Sequence, residues 1–272
     1  THTNPWFRVG RVYDWLFPYL SQEEREKIVE WLIICANYHK SWSASGDGYR
    51  QPGTANELWR YGLTFYGDGI DDGKAALDTP AADHVTEMAS AYPKVTLRHF
   101  TTMVSGYRAV DDEPRGTYRH GPSPTPFDPC DEPLFAPGTQ YAYWDSAMNQ
   151  FANVLTRIAG EPIEDLFRRR IAEPVGMDPN EWRWGRFDPI DGVVVNGGSG
   201  NANRHIFISA RQMARLGLLF LNEGNWNGRQ LIGAEWVRMA TRPQVSTTIP
   251  LFPDSAADGR GVYGFNWWTN GV

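Results

Sequence analysis

The side chains that most often perform chemistry in proteins are unevenly represented in this sequence. Of its 26 lysines and arginines only four are lysines, and none lies beyond Lys94. The others are arginines, whose guanidinium stays protonated and cannot act as a base. Two cysteines, Cys35 and Cys130, occur without a C-x-x-C pair, which argues against a structural zinc site. A single disulfide bridge and two buried thiols are both compatible with them.

Serine and histidine are present, but each candidate has a structural interpretation. No serine is followed by a lysine three residues later, and the nearest pair is Ser90 with Lys94. A hydroxyl without a neighbouring base attacks a carbonyl slowly at neutral pH. We interpret His99 as a structural helix residue and His120 as a solvated loop residue. His205 could line a cleft, although a surface position is favoured.

Composition excludes several classes of function. The chain has 272 residues, which is long enough to bury a sizeable core. Its formal net charge of −6 makes it poorly suited to bind nucleic acid, whose phosphates are negatively charged. Its apolar runs are far shorter than the roughly 20 residues of a membrane-spanning helix. The turn Gly197-Gly198-Ser199-Gly200 lacks the G-x-G-x-x-G spacing of a nucleotide site. We therefore expect no membrane span and no nucleic-acid partner.

Apolar spacing and capping residues predict several helices. The predicted helices lie between residues 96 and 106, 148 and 160, 163 and 174, and 209 and 224. Thr96 and Ser209 are the expected N-caps, and Gly160 ends the second helix. A buried strand is predicted at 31–36, and the alternation at 262–268 predicts another, paired near Trp31 or with sequence beyond this chain. The proline-rich stretch 111–138 should cross the surface.

Five groups of residues occur in an order that resembles the serine β-lactamase-related hydrolases, the group of class C β-lactamases, DD-peptidases and esterases. They are Asp71-Asp72-Gly73-Lys74 with Leu77-Asp78-Thr79-Pro80, Val95-Thr96-Leu97-Arg98-His99-Phe100 with Ser105-Gly106-Tyr107, Phe135-Ala136-Pro137-Gly138-Thr139-Gln140-Tyr141-Ala142-Tyr143, Glu173-Pro174-Val175-Gly176-Met177, and Ser209-Ala210-Arg211-Gln212-Met213-Ala214-Arg215. Each group alone is a weak signal, but five in order are specific.

The resemblance implies an α/β fold of the β-lactamase/transpeptidase type, an antiparallel sheet flanked by helices with a helical inserted region. It implies one domain over 1–272, with the sheet layer at about 25–55 and 190–272 and the helical region at about 75–185. It also implies an acyl-enzyme mechanism, in which the serine of an S-x-x-K motif attacks a carbonyl and the tyrosine of a Y-x-N motif shares the base role. A third motif, K-T-G or H-x-G, lies beside the oxyanion hole.

This sequence departs from the family pattern at the nucleophile. Alignment on the Thr-Phe that follows the S-x-x-K motif puts Arg60 at the serine position and Leu63 at the lysine position. Alignment on Gly73 instead puts the motif at Asn56-Glu57-Leu58-Trp59, which also lacks serine and lysine. The second motif is Tyr143-Trp144-Asp145, with its tyrosine intact and aspartate in place of asparagine. An ionised Asp145 cannot donate an amide N–H, but it could pair with Arg60 across the pocket. The resemblance thus makes Tyr143 the catalytic candidate, and the candidate ligand-binding set is Arg60, Leu63, Trp144 and Asp145.

Two functions remain from these observations. The first is a hydrolase of this family that acts on an ester, amide or peptide-like substrate. Its activity in this chain should be absent or very weak, because the nucleophile motif and the third motif are missing and we expect the C-terminal edge strand to be missing with them. The second is a non-catalytic homologue that binds a ligand or partner in the vestigial cleft. The resemblance implies no cofactor or metal, a small-molecule or peptide-like ligand, and a periplasmic or secreted location.

Overall fold

Helices and short antiparallel ladders alternate along the part of the chain that the computed structural model describes, residues 77–108, 110–112, 117–119, 132–196 and 205–270. This mixture confirms the α/β fold class. The predicted strand at 31–36, both cysteines, His120 and the glycine turn at 197–200 lie outside the described residues.

The helices begin and end largely where capping residues predict. They are α1 (Leu97–Thr101), α2 (Asp145–Ala159), α3 (Ile163–Phe167), which continues as a π-helical turn (Arg168–Ala172), α4 (Ala210–Leu221) and α5 (Ala234–Ala240). The Thr96 side chain accepts from the N–H of His99, and the Ser209 side chain from that of Gln212, which confirms both predicted N-caps. Gly160 ends α2 in the left-handed conformation, φ 70°. Two 3-10 turns, Ala81–Asp83 and Thr86–Met88, precede α1.

The strands form two-stranded antiparallel ladders. They are β1 (Val110–Asp112) with β2 (Thr117–Arg119), β3 (Trp182–Trp184) with β6 (Ile206–Ile208), β4 (Phe187–Ile190) with β5 (Val193–Val195), and β7 (Asn225–Trp226) with β8 (Arg229–Gln230). The first pair lies inside the proline-rich stretch, where the sequence predicted only a connection across the surface. In the second pair Arg183 lies opposite Phe207, and Trp182 opposite Ile208.

Two local predictions were wrong. The first helix ends at Thr101 rather than near Gly106, because Met103 adopts a left-handed backbone conformation with φ 58°. The stretch 262–268 is a turn rather than a strand. Tyr263 pairs with Trp268 through a single antiparallel bridge, so the segment folds back on itself.

Aromatic rings join these elements into one hydrophobic core. The rings of Phe100 in α1 and Phe151 in α2 stack with centroids 5.2 Å apart. Phe167 makes edge contacts with Trp182 and Trp184, at 5.3 and 5.2 Å. Residues 146–156 of α2 are all buried, so this helix runs through the centre of the described structure.

None of the helices in the described residues has the length and apolar character needed to cross a membrane.

Candidate functional site

Tyr143 lies in an extended segment immediately before α2, and its backbone is held from two sides. Its N–H donates to Ser255 Oγ at 2.9 Å, and its carbonyl accepts from the N–H of Ala256 at 3.3 Å. The preceding residue, Ala142, donates its N–H to the carbonyl of Met103 at 3.0 Å. The position of Tyr143 is therefore fixed by the end of α1 on one side and by the segment 250–256 on the other.

The same segment is fixed again at Tyr141. Its N–H donates to the carbonyl of Pro250 and its carbonyl accepts from the N–H of Phe252, both at 2.9 Å, so that Tyr141 forms a parallel bridge with Leu251. The Tyr141 ring is fully buried and leaves no room for a side chain at Gly259, where a Cβ would lie 2.3 Å from the phenol oxygen. A glycine is required there by this close approach.

The Tyr143 ring belongs to an aromatic cluster, here named the tyrosine cluster, of Tyr141, Tyr143, Tyr263 and Trp268. Tyr143 meets Tyr263 edge-on at 5.9 Å and Trp268 at 5.5 Å, and the last two rings are 5.1 Å apart. Tyr263 is fully buried, whereas Tyr143 and Trp268 are half-buried. The cluster therefore orients the Tyr143 ring without covering it, and a phenol hydroxyl can both donate and accept a proton.

The other predicted site residues have different positions. Trp144 is only 8% exposed, and its ring contacts Phe252 edge-on at 6.0 Å, so it packs in the hydrophobic core. Asp145 is the first residue of α2. Arg60 and Leu63 lie outside the described residues, and the roles assigned to all four stay predictions.

His99 and Ser105, two of the residues singled out in the sequence, hydrogen-bond to the backbone of the fold. Burial lowers the pKa of His99, whose Nδ1 accepts the N–H of Thr96 at 3.1 Å and completes the cap of α1. Ser105 is buried, and its Oγ accepts the N–H of Tyr107 at 3.2 Å. The His205 ring packs 4.5 Å from Phe207. Within the described ranges no three His, Cys, Asp or Glu side chains come together as a metal ion requires.

Sequence reasoning missed the residues that support Tyr143. Met103 carries no local signal, because bulky residues rarely adopt positive φ. Ser255 lies in the turn Pro253-Asp254-Ser255, which indicates a loop but not its contact. Asn266 could have been identified from the sequence as a turn residue, because asparagine tolerates a positive φ, here 58°. Its N–H donates to the carbonyl of Thr101 at 2.8 Å.

Comparison with known proteins agrees with the family suggested by the motifs. A family model described as Beta-lactamase matches residues 67–272. No curated protein matches the chain. Solved structures similar to it include a protein assigned as a beta-lactamase from Bacteroides dorei DSM 17855, with a TM-score of 0.60 and 19% identity over 79% of this chain and 64% of that one. Another is the penicillin binding protein from Bacillus halodurans, with a TM-score of 0.51 and 16% identity over 79% of this chain and 67% of that one.

A third similar structure is EstCE1, a hydrolase with promiscuous acyltransferase activity, with a TM-score of 0.54 and 13% identity over 79% of this chain and 67% of that one. The chain thus spans about two thirds of the length of these proteins. At such identities the likeness shows the fold, which is that of β-lactamases and transpeptidases. Because the family model covers most of the chain, this protein is a member of the beta-lactamase family.

Proposed function

We propose that this chain carries the tyrosine side of an acyl-transfer site, which receives the carbonyl group of an ester, amide or peptide-like ligand. In this proposal the Tyr143 phenol exchanges the proton of the attacking group. The supporting observation is the fixed position of Tyr143, whose backbone is bonded to Ser255 and Ala256 and whose half-buried ring contacts Trp268. A proton-transfer group held in place before the ligand arrives does not have to be ordered during the reaction.

The ligand class is supported by the family and by its neighbours. The motif resemblance implies a serine that forms an acyl-enzyme. The matching family model is described as Beta-lactamase, and EstCE1 is named as a hydrolase with promiscuous acyltransferase activity. All of these reactions begin with attack on a carbonyl carbon. We therefore place ester, amide and peptide-like carbonyl compounds ahead of other ligands.

We further propose that this chain turns such ligands over very slowly or not at all. No serine in its 272 residues is followed by lysine at the third position, and Arg60 and Leu63 stand where one alignment expects that pair. Arg60 offers no hydroxyl that could attack, and Leu63 has no group that could accept a proton, so this alignment leaves both the nucleophile and its base missing. The same fact favours the second candidate function, a cleft that binds its ligand without chemistry.

The test restores the missing pair and asks whether Tyr143 then matters. We expect no covalent mass increase when the unaltered chain is incubated with a fluorophosphonate or a labelled penicillin, and no hydrolysis of a chromogenic cephalosporin. The double variant Arg60→Ser with Leu63→Lys should gain an adduct on the new serine. Adding Tyr143→Phe should slow that labelling about a hundredfold or more, the range typical of general acid–base catalysis.

A matched control keeps the interpretation specific. Tyr92→Phe also removes one phenol hydroxyl, but that hydroxyl accepts the N–H of Arg108 at 3.5 Å, so the variant should leave labelling unchanged. An adduct on a serine of the unaltered chain would refute the claim of slow turnover. A folded double variant that gains no adduct would count against the alignment that puts Arg60 and Leu63 at the serine and lysine positions.

A further inference from the structure

A cleft of about 520 Å³ opens where the first residues of β3 face the last residues of β6 and the start of α4. The lining that matters for recognition comes from Glu181, Trp182, Arg183, Phe207, Ile208 and Ser209. Its volume lies within the range of small-ligand sites, and its wall combines apolar side chains with a few polar groups. None of these residues belongs to the tyrosine cluster.

Arg183 is the positively charged residue among those that line this cleft. Its guanidinium carbon lies 3.8 Å from the centre of the Phe207 ring, on the residue directly opposite in the ladder. Stacking of this kind holds the flat face of the guanidinium and leaves its N–H groups available at the edge. The Arg183 side chain is exposed, and no described residue forms an ion pair or hydrogen bond with its guanidinium. The side chain is thus held in place without an anion.

The acidic residue of the cleft does not supply that anion. The Glu181 carboxylate is turned towards the start of α4, where its Oε2 accepts from Ser209 Oγ at 2.7 Å and from Gln212 Nε2 at 2.6 Å. These bonds give Glu181 a structural role, because a carboxylate at a helix N-terminus is favourable. A ligand with one negative charge can pair with Arg183, whereas a second negative charge would be repelled by the Glu181 carboxylate.

We propose that this cleft binds a monocarboxylate joined to an aromatic or branched apolar group, such as the C-terminal end of a peptide. The two carboxylate oxygens accept two parallel N–H bonds from Arg183, the bidentate geometry that a guanidinium makes with planar oxyanions. The apolar group lies beside the Phe207 ring, which is on the same face of the ladder as Arg183. Phosphate shares the oxyanion chemistry, but its second charge would meet Glu181.

The test uses the whole chain, labelled with nitrogen-15, and three probes that share a phenyl ring. Sodium benzoate should shift the Arg183 Nε–H resonance and the amide resonances of Phe207 and Ser209 in a saturable way. Benzamide, which is neutral, should bind at least tenfold more weakly, and phenyl phosphate no more tightly than benzoate. Binding that is equal for benzamide, absent for benzoate, or tighter for phenyl phosphate overturns the proposal.

Substitutions then locate the interaction. Arg183→Met should abolish the benzoate-dependent shifts at Phe207 and Ser209, and Arg183→Lys, which keeps the charge but loses the planar fork, should weaken them severalfold. Phe207→Leu should weaken binding about two- to fivefold through loss of the stacking. The control Arg229→Met changes an exposed arginine on β8 and should bind as the unaltered chain does. Unchanged benzoate binding by folded Arg183→Met refutes the site. This test does not depend on Tyr143, so it can fail or succeed independently of the proposed function.

Discussion

The carbonyl oxygen of Met103 accepts the N–H of Ala142 at 3.0 Å, and Met103 presents it from a left-handed backbone conformation, φ 58°. Ala142 is the residue before Tyr143, so the turn that ends α1 also positions the candidate catalytic tyrosine. The left-handed region costs a residue with a Cβ roughly 1–2 kcal/mol. The Met103 side chain is 1% exposed, and its burial in the core offsets that cost.

Substitutions at Met103 should separate backbone strain from packing. Met103→Ala and Met103→Gly both remove the buried side chain, which costs about 2–5 kcal/mol in the free energy of unfolding. Only glycine also relieves the positive φ, so Met103→Gly should be the more stable variant by about 1 kcal/mol. Urea unfolding followed by tryptophan fluorescence measures the difference. An alanine variant that equals or exceeds the glycine variant would show that the turn is not strained.

Gly106 tests how tightly the same turn packs against the segment that leads to Tyr143. Its φ is 69°, and a Cβ there would lie 2.3 Å from the carbonyl oxygen of Phe135. Gly160 has a nearly identical φ of 70° with open space around it. Gly160→Ala should therefore cost only the left-handed penalty of about 1–2 kcal/mol. Gly106→Ala should cost more, because the backbone of Phe135 must also move, and equal losses in urea unfolding would contradict this close approach.

His99 should make the stability of α1 depend on pH. Burial is the main cause that lowers its pKa below the ordinary value, although the nearby Asp78 carboxylate opposes the shift. The unfolded chain then binds the proton more readily than the folded one. The stabilisation by neutral His99 is complete above about pH 6.5 and declines as the pH falls from there through the folded pKa. Protonation also removes the Nδ1 acceptor used by Thr96.

The variant His99→Gln isolates this effect. Glutamine at the same position of a capping box can accept the Thr96 N–H but does not titrate. The unaltered chain should lose stability relative to His99→Gln as the pH falls below about 6.5. His84, whose pKa is also lowered by burial, titrates in both proteins, so the difference between their urea unfolding curves isolates His99. A pH-independent difference would refute the titration of this group.

Local signals explain how much of the fold the sequence predicts. The caps at Thr96 and Ser209 and the end of α2 at Gly160 depend on neighbours within four residues, and all three were predicted correctly. The turn at 262–268 was not, because it is set by distant groups. The N–H of Phe265 donates to the carbonyl of Ala240, and that of Asn266 to the carbonyl of Thr101.

In the candidate site, too, a residue in a contiguous motif was predicted, whereas residues that depend on distant contacts were not. Tyr143 could be identified because its motif is contiguous and the family resemblance gives it a role. Ser255 could not, since it lies 112 residues further along the chain and only the folded backbone brings it to the Tyr143 N–H. Arg183 was also missed, because its pairing with Phe207 depends on the register of two strands that are distant in sequence. Contiguous motifs identify reacting groups, whereas their supports require the fold.

Ser255 offers the most direct test of how Tyr143 is held. Its Oγ accepts the Tyr143 N–H at 2.9 Å and donates to the carbonyl of Ala257 at 2.7 Å. Ser255→Ala leaves two partly buried backbone groups without that partner, which should cost about 1–3 kcal/mol in the free energy of unfolding. The control Ser246→Ala removes an exposed hydroxyl bonded to Thr248 and should change stability by less than about 0.5 kcal/mol.

If Ser255 has only a structural role, Ser255→Ala should lower stability and leave the labelling rate unchanged. The second measurement is therefore the rate of labelling. In the Arg60→Ser and Leu63→Lys background, Ser255→Ala should also slow fluorophosphonate labelling, because Tyr143 then samples positions away from the attacking group. The comparison is made at a temperature where both proteins are folded by circular dichroism. Labelling at the same rate with and without the Ser255 hydroxyl would mean that the backbone bonds to Met103 and Ala256 are sufficient to hold Tyr143.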